Sequence, residues 1–323
     1  MRLGHEPAPG VVRERGCCSA RDADDARRVA ALLGIPFYAL DFEEEFGRII
    51  DDFVGEYARA RTPNPCIRCN QWLKFGRLLD LADELGATAV ATGHYVRRIE
   101  EGGRPGLARA ADRAKDQSYY LFALSGEQVA RARFPLGPST KAEVRDEARR
   151  LGFPNADKPE SQDICFVPGG DYREVLRTRR PELLRQGTVE DTSGRPVGRH
   201  EGVSAFTIGQ RRGLGVALGH AAYVVDLDPT TNTVVVGTRE ETLRRGLVAA
   251  DVRWLAPASP TRRCLVQIRY RHAPVAATFS TDAPDRAVVT FDEPQSAVTP
   301  GQAAVFYEGD QLLGGGWISE ALR

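Results

Sequence analysis

Three cysteines raise the first chemical question in this 323-residue chain. Cys66 and Cys69 form the Cys-x-x-Cys of Arg61-Thr-Pro-Asn-Pro-Cys-Ile-Arg-Cys-Asn70, and Cys165 lies in Lys158-Pro-Glu-Ser-Gln-Asp-Ile-Cys-Phe166. Such a pair supplies half of a structural zinc site, but no second pair follows. A thioredoxin-like pair opens a helix after a strand, whereas this one follows the loop-forming run Thr62-Pro-Asn-Pro65. Chemistry that moves sulfur needs one thiolate to carry it as a persulfide and another to strip it off by disulfide exchange. Cys69 and Cys165, the latter in a polar loop, could be that pair. Cys264, inside a strand pattern, together with Cys17 and Cys18, reads instead as a small buried apolar residue.

The bulk properties fit a cytoplasmic protein. No apolar run approaches the roughly 18 residues of a membrane span, and MRLGHEPAPG lacks the apolar stretch of a secretory signal. Six scattered cysteines without an export signal point to reducing surroundings, where structural disulfides are not expected. The 44 basic and 44 acidic residues cancel, which excludes a generic polycation but leaves room for a basic patch on one face. Nearly all the basic residues are arginine; the four lysines are Lys74, Lys115, Lys141 and Lys158. Ammonium and guanidinium are not interchangeable at a tight site, so these four are singled out.

The elements that must position the cysteines follow an αβ grammar in the first half. Apolar residues at helical spacing predict a helix over Asp22–Leu33, capped by Ser19 and stopped by Gly34, then a buried strand over Ile35–Leu40. A second unit predicts a helix over Leu73–Leu85, Gly86 as its stop, and a strand over Ala87–Thr92. A third helix is expected over Lys141–Leu151. This alternation implies an α/β fold with a parallel sheet covered on both faces, and it puts Thr92-Gly93-His94 at a strand's carboxyl end, where ligands bind. After about Gly187 the pattern becomes all-β: Tyr223–Leu227, Thr233–Val236, Cys264–Tyr270 and Arg286–Phe291 read as strands, with a divide expected near Arg244–Asp251.

The motifs around these residues resemble the signature of the tRNA-specific 2-thiouridylases. They are Thr62-Pro-Asn-Pro-Cys-Ile-Arg-Cys-Asn70 with Lys74-Phe75, Ala91-Thr-Gly-His-Tyr95, Lys115-Asp-Gln-Ser-Tyr119, Phe134-Pro-Leu-Gly137 and Ser161-Gln-Asp-Ile-Cys-Phe166. Thr207-Ile-Gly-Gln-Arg-Arg-Gly-Leu-Gly215, Arg269-Tyr-Arg271, the run Phe291–Tyr307 and Gly314-Gly-Gly316 continue the series in the family's order. The resemblance implies a parallel-sheet PP-loop ATPase domain of the adenine-nucleotide alpha-hydrolase type (1–166), a β-rich tRNA-binding domain (167–247) and a C-terminal β-barrel (248–323). It also implies the activity: ATP, with Mg, adenylates O2 of the wobble uridine, and a cysteine persulfide charged by a sulfur-relay donor protein replaces the oxygen. Cys165 would carry the persulfide and Cys69 would release the sulfur, closing a transient Cys69–Cys165 disulfide. Gly93 matches a nucleotide-contacting glycine. Asn64, Pro65 and Cys66 match the loop that meets the target base. His94, Lys115, Asp116, Gln117, Arg269, Tyr270 and Gln302 match tRNA contacts. Taken alone, Arg269 and Lys115 suit phosphates and Tyr270 a splayed base, beside the plainer readings of surface charges and a core tyrosine. No membrane is expected among the partners.

Two departures from the family pattern carry further expectations. Many members have Asp where this chain has Cys66, so Cys66, Cys69 and Cys165 could ligate three corners of an iron–sulfur cluster instead of working through a persulfide. The family also opens with a strand and a Ser-Gly-Gly-Val-Asp-Ser loop that cradles ATP phosphates, and residues 1–16 carry no such run. The expectation is an N-terminally truncated ATPase domain, from a gene start placed at an internal Met or from a catalytically inactive tRNA-binding paralogue. Adenylation would be poor, and the sheet would expose an apolar edge.

Overall fold

The computed structural model describes residues 20–159, 164–257 and 259–323. Cys17, Cys18, the cap Ser19 and Ser161–Asp163 lie outside the described residues. Helices α1 (Ala20–Leu33), α2 (Glu43–Ala58), α3 (Pro65–Arg68) and α4 (Leu78–Glu84) open the chain. Gly34 and Gly86 sit at φ 65° and 67°, the left-handed stops their positions call for. In α2 the residues Phe46, Ile49, Ile50, Phe53, Val54 and Tyr57 fall on one face and are buried. Phe166 packs edge-on to Phe46 and Phe53, with centroids 5.6 and 5.0 Å away. Between α3 and α4, Cys69–Arg77 winds as a π-helix, a form that concentrates at functional sites.

Two expected strands come out differently. Ile35–Leu40 is not in a strand, and Ile35 and Tyr38 are 55% and 75% exposed. An apolar run becomes a buried strand only when a neighbour takes up its backbone groups, and no ladder among the described residues does so here. The second is shortened. Strands β1 (Val90–Ala91), β2 (Val96–Glu101), β3 (Arg104–Arg109) and β4 (Ala132–Arg133) follow, and β1 pairs with β4 in parallel, as Val90 with Ala132 and Ala91 with Arg133. Helix α5 (Gly126–Arg131) starts with a capping box from Ser125 and Gln128, and α6 (Lys141–Arg150) with one from Thr140 and Glu143. Helix α7 (Arg173–Arg179) leads into the β half.

There β5 (Gly187–Asp191), β6 (Pro196–His200), β7 (Tyr223–Asp228) and β8 (Thr233–Gly237) form a four-stranded sheet in the order β6-β5-β8-β7. Strands β9 (Leu243–Trp254), β10 (Thr261–Gln267), β11 (Val275–Ala283), β12 (Arg286–Ser296), β13 (Ala303–Glu308) and β14 (Gln311–Leu322) run antiparallel in the order β13-β10-β11-β12-β9-β14. Because β14 pairs back onto β13, this sheet is a closed barrel. The expected divide near Arg244–Asp251 lies along β9, the strand that opens the barrel after the four-stranded sheet closes with β8, and the pairing of β9 with β12 shifts register between Gly246 and Arg244.

The barrel is joined to the first half through β14, which also pairs with β3, Leu312 opposite Leu107. One core cluster accordingly mixes Val96, Leu107, Tyr119, Leu121 and Phe122 with Ala303, Val305, Tyr307, Leu312 and Trp317. The glycine run 314–316 makes this contact possible. A Cβ on Gly315 would lie 2.8 Å from the Phe122 ring, and one on Gly314 2.3 Å from the Arg253 carbonyl.

Candidate active site

The π-helix begins at the second cysteine of the Cys-x-x-Cys pair, and its widened turns carry Asn70 and Lys74 to the same side as Cys66. Gln128 Nε2 steadies it by donating to Phe75 O at 2.6 Å and Gln71 O at 3.4 Å. Cys66, Asn70 and Lys74 form one wall of a cavity of about 1230 Å³. The β1 end supplies Gly93, His94 and Tyr95; the loop after β3 supplies Arg113, Lys115, Asp116 and Gln117; the segment after β10 supplies Tyr270, Arg271 and His272. Arg109, Tyr120, Lys141 and Gln267 also line it. Seven of the residues that the resemblance assigns to a site therefore meet there: Cys66, Gly93, His94, Lys115, Asp116, Gln117 and Tyr270.

The cavity is cationic. Lys74, Arg109, Arg113, Lys115, Lys141 and Arg271 face a single carboxylate, Asp116, among the lining residues. That carboxylate is committed to the backbone: Oδ1 accepts from the N–H of Ala110 and Ser118 at 3.0 and 3.2 Å, and Oδ2 from the Ser118 hydroxyl at 2.9 Å. Gln117 is similarly tied, its side-chain oxygen accepting from Tyr95 N at 3.0 Å. A wall of this sign, in a site narrowed by protein, attracts phosphates. His94 adds no charge. It is buried, its Nδ1 lies 2.8 Å from the Thr92 hydroxyl, and burial, helped by the Lys74 ammonium, pushes its pKa down to about 3. The imidazole is neutral at pH 7. Gly93 has an ordinary φ, and a Cβ there would be 3.6 Å from Leu136 Cδ1, so the fold itself does not demand glycine. Gly137 differs, because a Cβ there would lie 2.0 Å from Val96 O.

Tyr270 does not present a lone ring. It lies against Tyr120 at 4.3 Å and 31°, so the aromatic surface of the cavity is the pair. Burial pushes the Tyr120 hydroxyl well above the usual tyrosine range, with Cys66 adding to the rise. Asn70 donates Nδ2 to Tyr120 O at 3.3 Å, while its Oδ1 is buried without a partner among the described residues.

The remaining predicted residues lie elsewhere. Arg269 is half-buried beside the cavity, its Nε without a hydrogen-bond partner among the described residues, and burial lowers its pKa from the usual arginine range. Gln302 donates to the backbone of the Thr62–Pro65 loop, in which Asn64 O accepts from Ile67 N at 3.2 Å and Pro65 is buried. Cys69 and Cys165 are half-buried, and both border the aromatic cluster built on α2. Cys66, by contrast, is exposed and faces the cavity. The turn from Cys66 to Cys69 thus sends the two thiols different ways. Among the described residues no group of three His, Cys, Asp or Glu side chains is placed to hold a metal, so the three-cysteine ligand set expected for an iron–sulfur cluster is not assembled. None of Cys66, Cys69, Cys165 and Cys264 is in a disulfide. Cys264 is a core residue of β10, its thiol pushed up to about 12 by burial, as its strand pattern implied.

Sequence reasoning left Asn70, Arg109, Arg113, Tyr120, Lys141, Gln267 and His272 without a role. One signal pointed to part of this set: three of the four lysines, Lys74, Lys115 and Lys141, line the cavity. The fourth, Lys158, pairs with Asp22 and, at 2.6 Å, Asp25. No helix among the described residues is long and apolar enough to cross a membrane.

The chain matches three family models in succession: a tRNA methyl transferase HUP domain over residues 4–169, a tRNA methyl transferase PRC-barrel domain over 173–238 and an aminomethyltransferase beta-barrel domain over 244–318. It is 54% identical over 319 residues to the tRNA-specific 2-thiouridylase MnmA of Geobacter metallireducens, covering 98% of this chain and 86% of the relative. The proteins of the same name from Rhodopirellula baltica and Moorella thermoacetica are 48% and 50% identical, over 96% and 100% of this chain and 79% and 92% of theirs.

Proposed function

Because the chain belongs to the tRNA-specific 2-thiouridylase family, we propose that it is an ATP-dependent tRNA sulfurtransferase that forms 2-thiouridine at the wobble position. The observation that carries this reading is the cavity: cations for phosphates, an aromatic pair for a base and the Cys66 turn meet in one place. A nucleotide turned out of an RNA loop needs that combination. Gly93 would let ATP approach the backbone, and the Lys74, Lys115 and Lys141 ammonium groups would balance phosphate charge, with Mg accompanying the nucleotide.

The chemistry assigns separate work to the two half-buried thiols. ATP activates the O2 of uridine as its adenylate, with pyrophosphate leaving. The terminal sulfur of a persulfide on Cys165, supplied by a sulfur-relay donor protein, attacks C2, and AMP departs with the oxygen. The Cys69 thiolate then attacks Cys165 Sγ. The sulfur–sulfur bond breaks, its electron pair stays with the sulfur on C2, and a Cys69–Cys165 disulfide remains for an external dithiol to reduce. That both thiols border one cluster supports this pairing. Such a cycle suits the reducing cytoplasm, where tRNA is found.

The test is nucleoside analysis of tRNA from cells in which this protein is the sole wobble-uridine thiolase. Cys165→Ser and Cys69→Ser should each abolish 2-thiouridine while tRNA binding persists. Retained thiolation in Cys165→Ser overturns its assignment as carrier. A wild-type chain that binds tRNA but leaves it unthiolated shows a binding protein instead.

A further inference from the structure

The motif Thr207–Gly215 and the residue Gln302 sit outside the cavity, yet both end on the same short backbone. Gln302 Nε2 donates to Thr62 O at 2.8 Å and to Pro63 O at 3.4 Å. Thr62 N donates to Pro300 O at 2.9 Å, and the Thr62 hydroxyl donates to the Thr207 hydroxyl at 3.3 Å. Gly301 is held at φ +90°, and a Cβ there would be 2.8 Å from Thr62 N. The contact closes on a third side too. A Cβ on Gly209, two residues past Thr207, would lie 2.3 Å from Ala297 Cβ at the start of the same barrel turn. The four-stranded sheet's approach loop, the barrel turn 297–302 and residues 61–63 therefore meet at one junction. From it the chain runs through Asn64 directly into α3, with Cys66 in its first turn and Cys69 at its end.

We propose that Thr207 and Gln302 are positioning residues for sulfur transfer, acting through the Thr62–Pro63 backbone to set the Cys66–Cys69 turn. The inference rests on the reading of Cys69 as catalytic. The Gln302 amide nitrogen is already engaged on two carbonyls, which leaves its oxygen as the side chain's main polar atom for any other partner. A residue spent in this way orders a loop and adds little contact of its own. The two β-rich units thereby each hold the base-facing loop by a specific bond, and misplacing a reacting group by about 1 Å can cost about 100-fold in rate.

The experiment uses the full chain with tRNA, ATP and a persulfide donor. Gln302→Met removes the amide donor and Thr207→Val the hydroxyl acceptor, both at nearly constant size and without adding charge that RNA would feel; Thr207→Ser keeps the hydroxyl. Single-turnover thiolation rate, tRNA KM and the alkylation rate of Cys69 by iodoacetamide, read by peptide mass spectrometry without tRNA, are compared. Gln302→Met and Thr207→Val should lower kcat about tenfold, leave KM within about twofold and change Cys69 alkylation by about threefold or more, with Thr207→Ser near wild type. A Gln302→Met variant with raised KM but unchanged kcat and alkylation overturns the proposal and makes Gln302 a direct tRNA contact. Full thiolation by Cys69→Ser in the same assay would instead remove the reading beneath it.

Discussion

Replacing Gly93 by alanine separates a glycine kept for a ligand from one kept for the fold. The added Cβ would stand 3.6 Å from Leu136 Cδ1, an ordinary van der Waals distance, and the backbone there is not left-handed. Stability should therefore move by less than about 0.5 kcal/mol, as for other substitutions free of strain or cavities. If Gly93 meets the nucleotide as proposed, the methyl group would instead project into that contact. Overfilling a close contact costs about 1–3 kcal/mol, so ATP affinity should fall about 5-fold to 150-fold. Thermal denaturation and equilibrium dialysis with labelled ATP and Mg, on the same preparations, measure the two quantities. Gly137→Ala is the control: its Cβ would sit 2.0 Å from Val96 O, so it should unfold or aggregate. A Gly93→Ala protein with unchanged affinity, or one that melts early, refutes the assignment of Gly93 to the nucleotide.

The neutral His94 should make the protein acid-sensitive. With the folded pKa about 3 and the unfolded value 6.5, its contribution is intact above pH 6.5 and is lost as pH falls toward 3. Between pH 7 and pH 5 urea unfolding should register a loss of about 2 kcal/mol that His94→Gln does not show. Asn232 sits at φ 54° and donates Nδ2 to Arg185 O and Gln186 O while accepting from Val203 N. Asn232→Ala should cost about 3–5 kcal/mol in the same assay, from lost bonds and a left-handed alanine. Cys66→Ala should preserve 2-thiouridine, since Cys66 faces the cavity apart from the two thiols assigned to sulfur transfer; complete loss, measured by nucleoside mass spectrometry, would show that it takes part. Native alkylation at pH 7.5 should label Cys66 and spare Cys264, whose thiol is buried and raised to about 12.

Local signals in the sequence located three helices of the first half and four strands of the β half, β7, β8, β10 and β12. Gly34, Gly86 and Gly152 mark real helix stops because a left-handed residue is a one-position property. The strand expected over Ile35–Leu40 failed because strand formation depends on a partner elsewhere in the chain, which no local pattern reports. The seven cavity residues found by motif came from four separated stretches, yet the sequence could not say that Cys66 and Cys69 face apart. That depends on the π-helical winding that starts at Cys69, and on Gln128, 59 positions later, taking up its carbonyls. Gln302 was legible as important but not as a brace, since its partners lie 240 and 239 residues away.

The shared core of β3 and β14 has a consequence for the order of events at the ribosome. Tyr119, Leu121 and Phe122 are synthesised early, yet the side chains that cover them include Ala303, Val305, Tyr307, Leu312 and Trp317, near the end of the chain. At about 5–20 residues per second, the nascent first third must wait some ten seconds or more with this apolar surface open. A messenger truncated before β14 would leave an N-terminal fragment that cannot finish its own interior, and such fragments should be prime clients for chaperones and proteases.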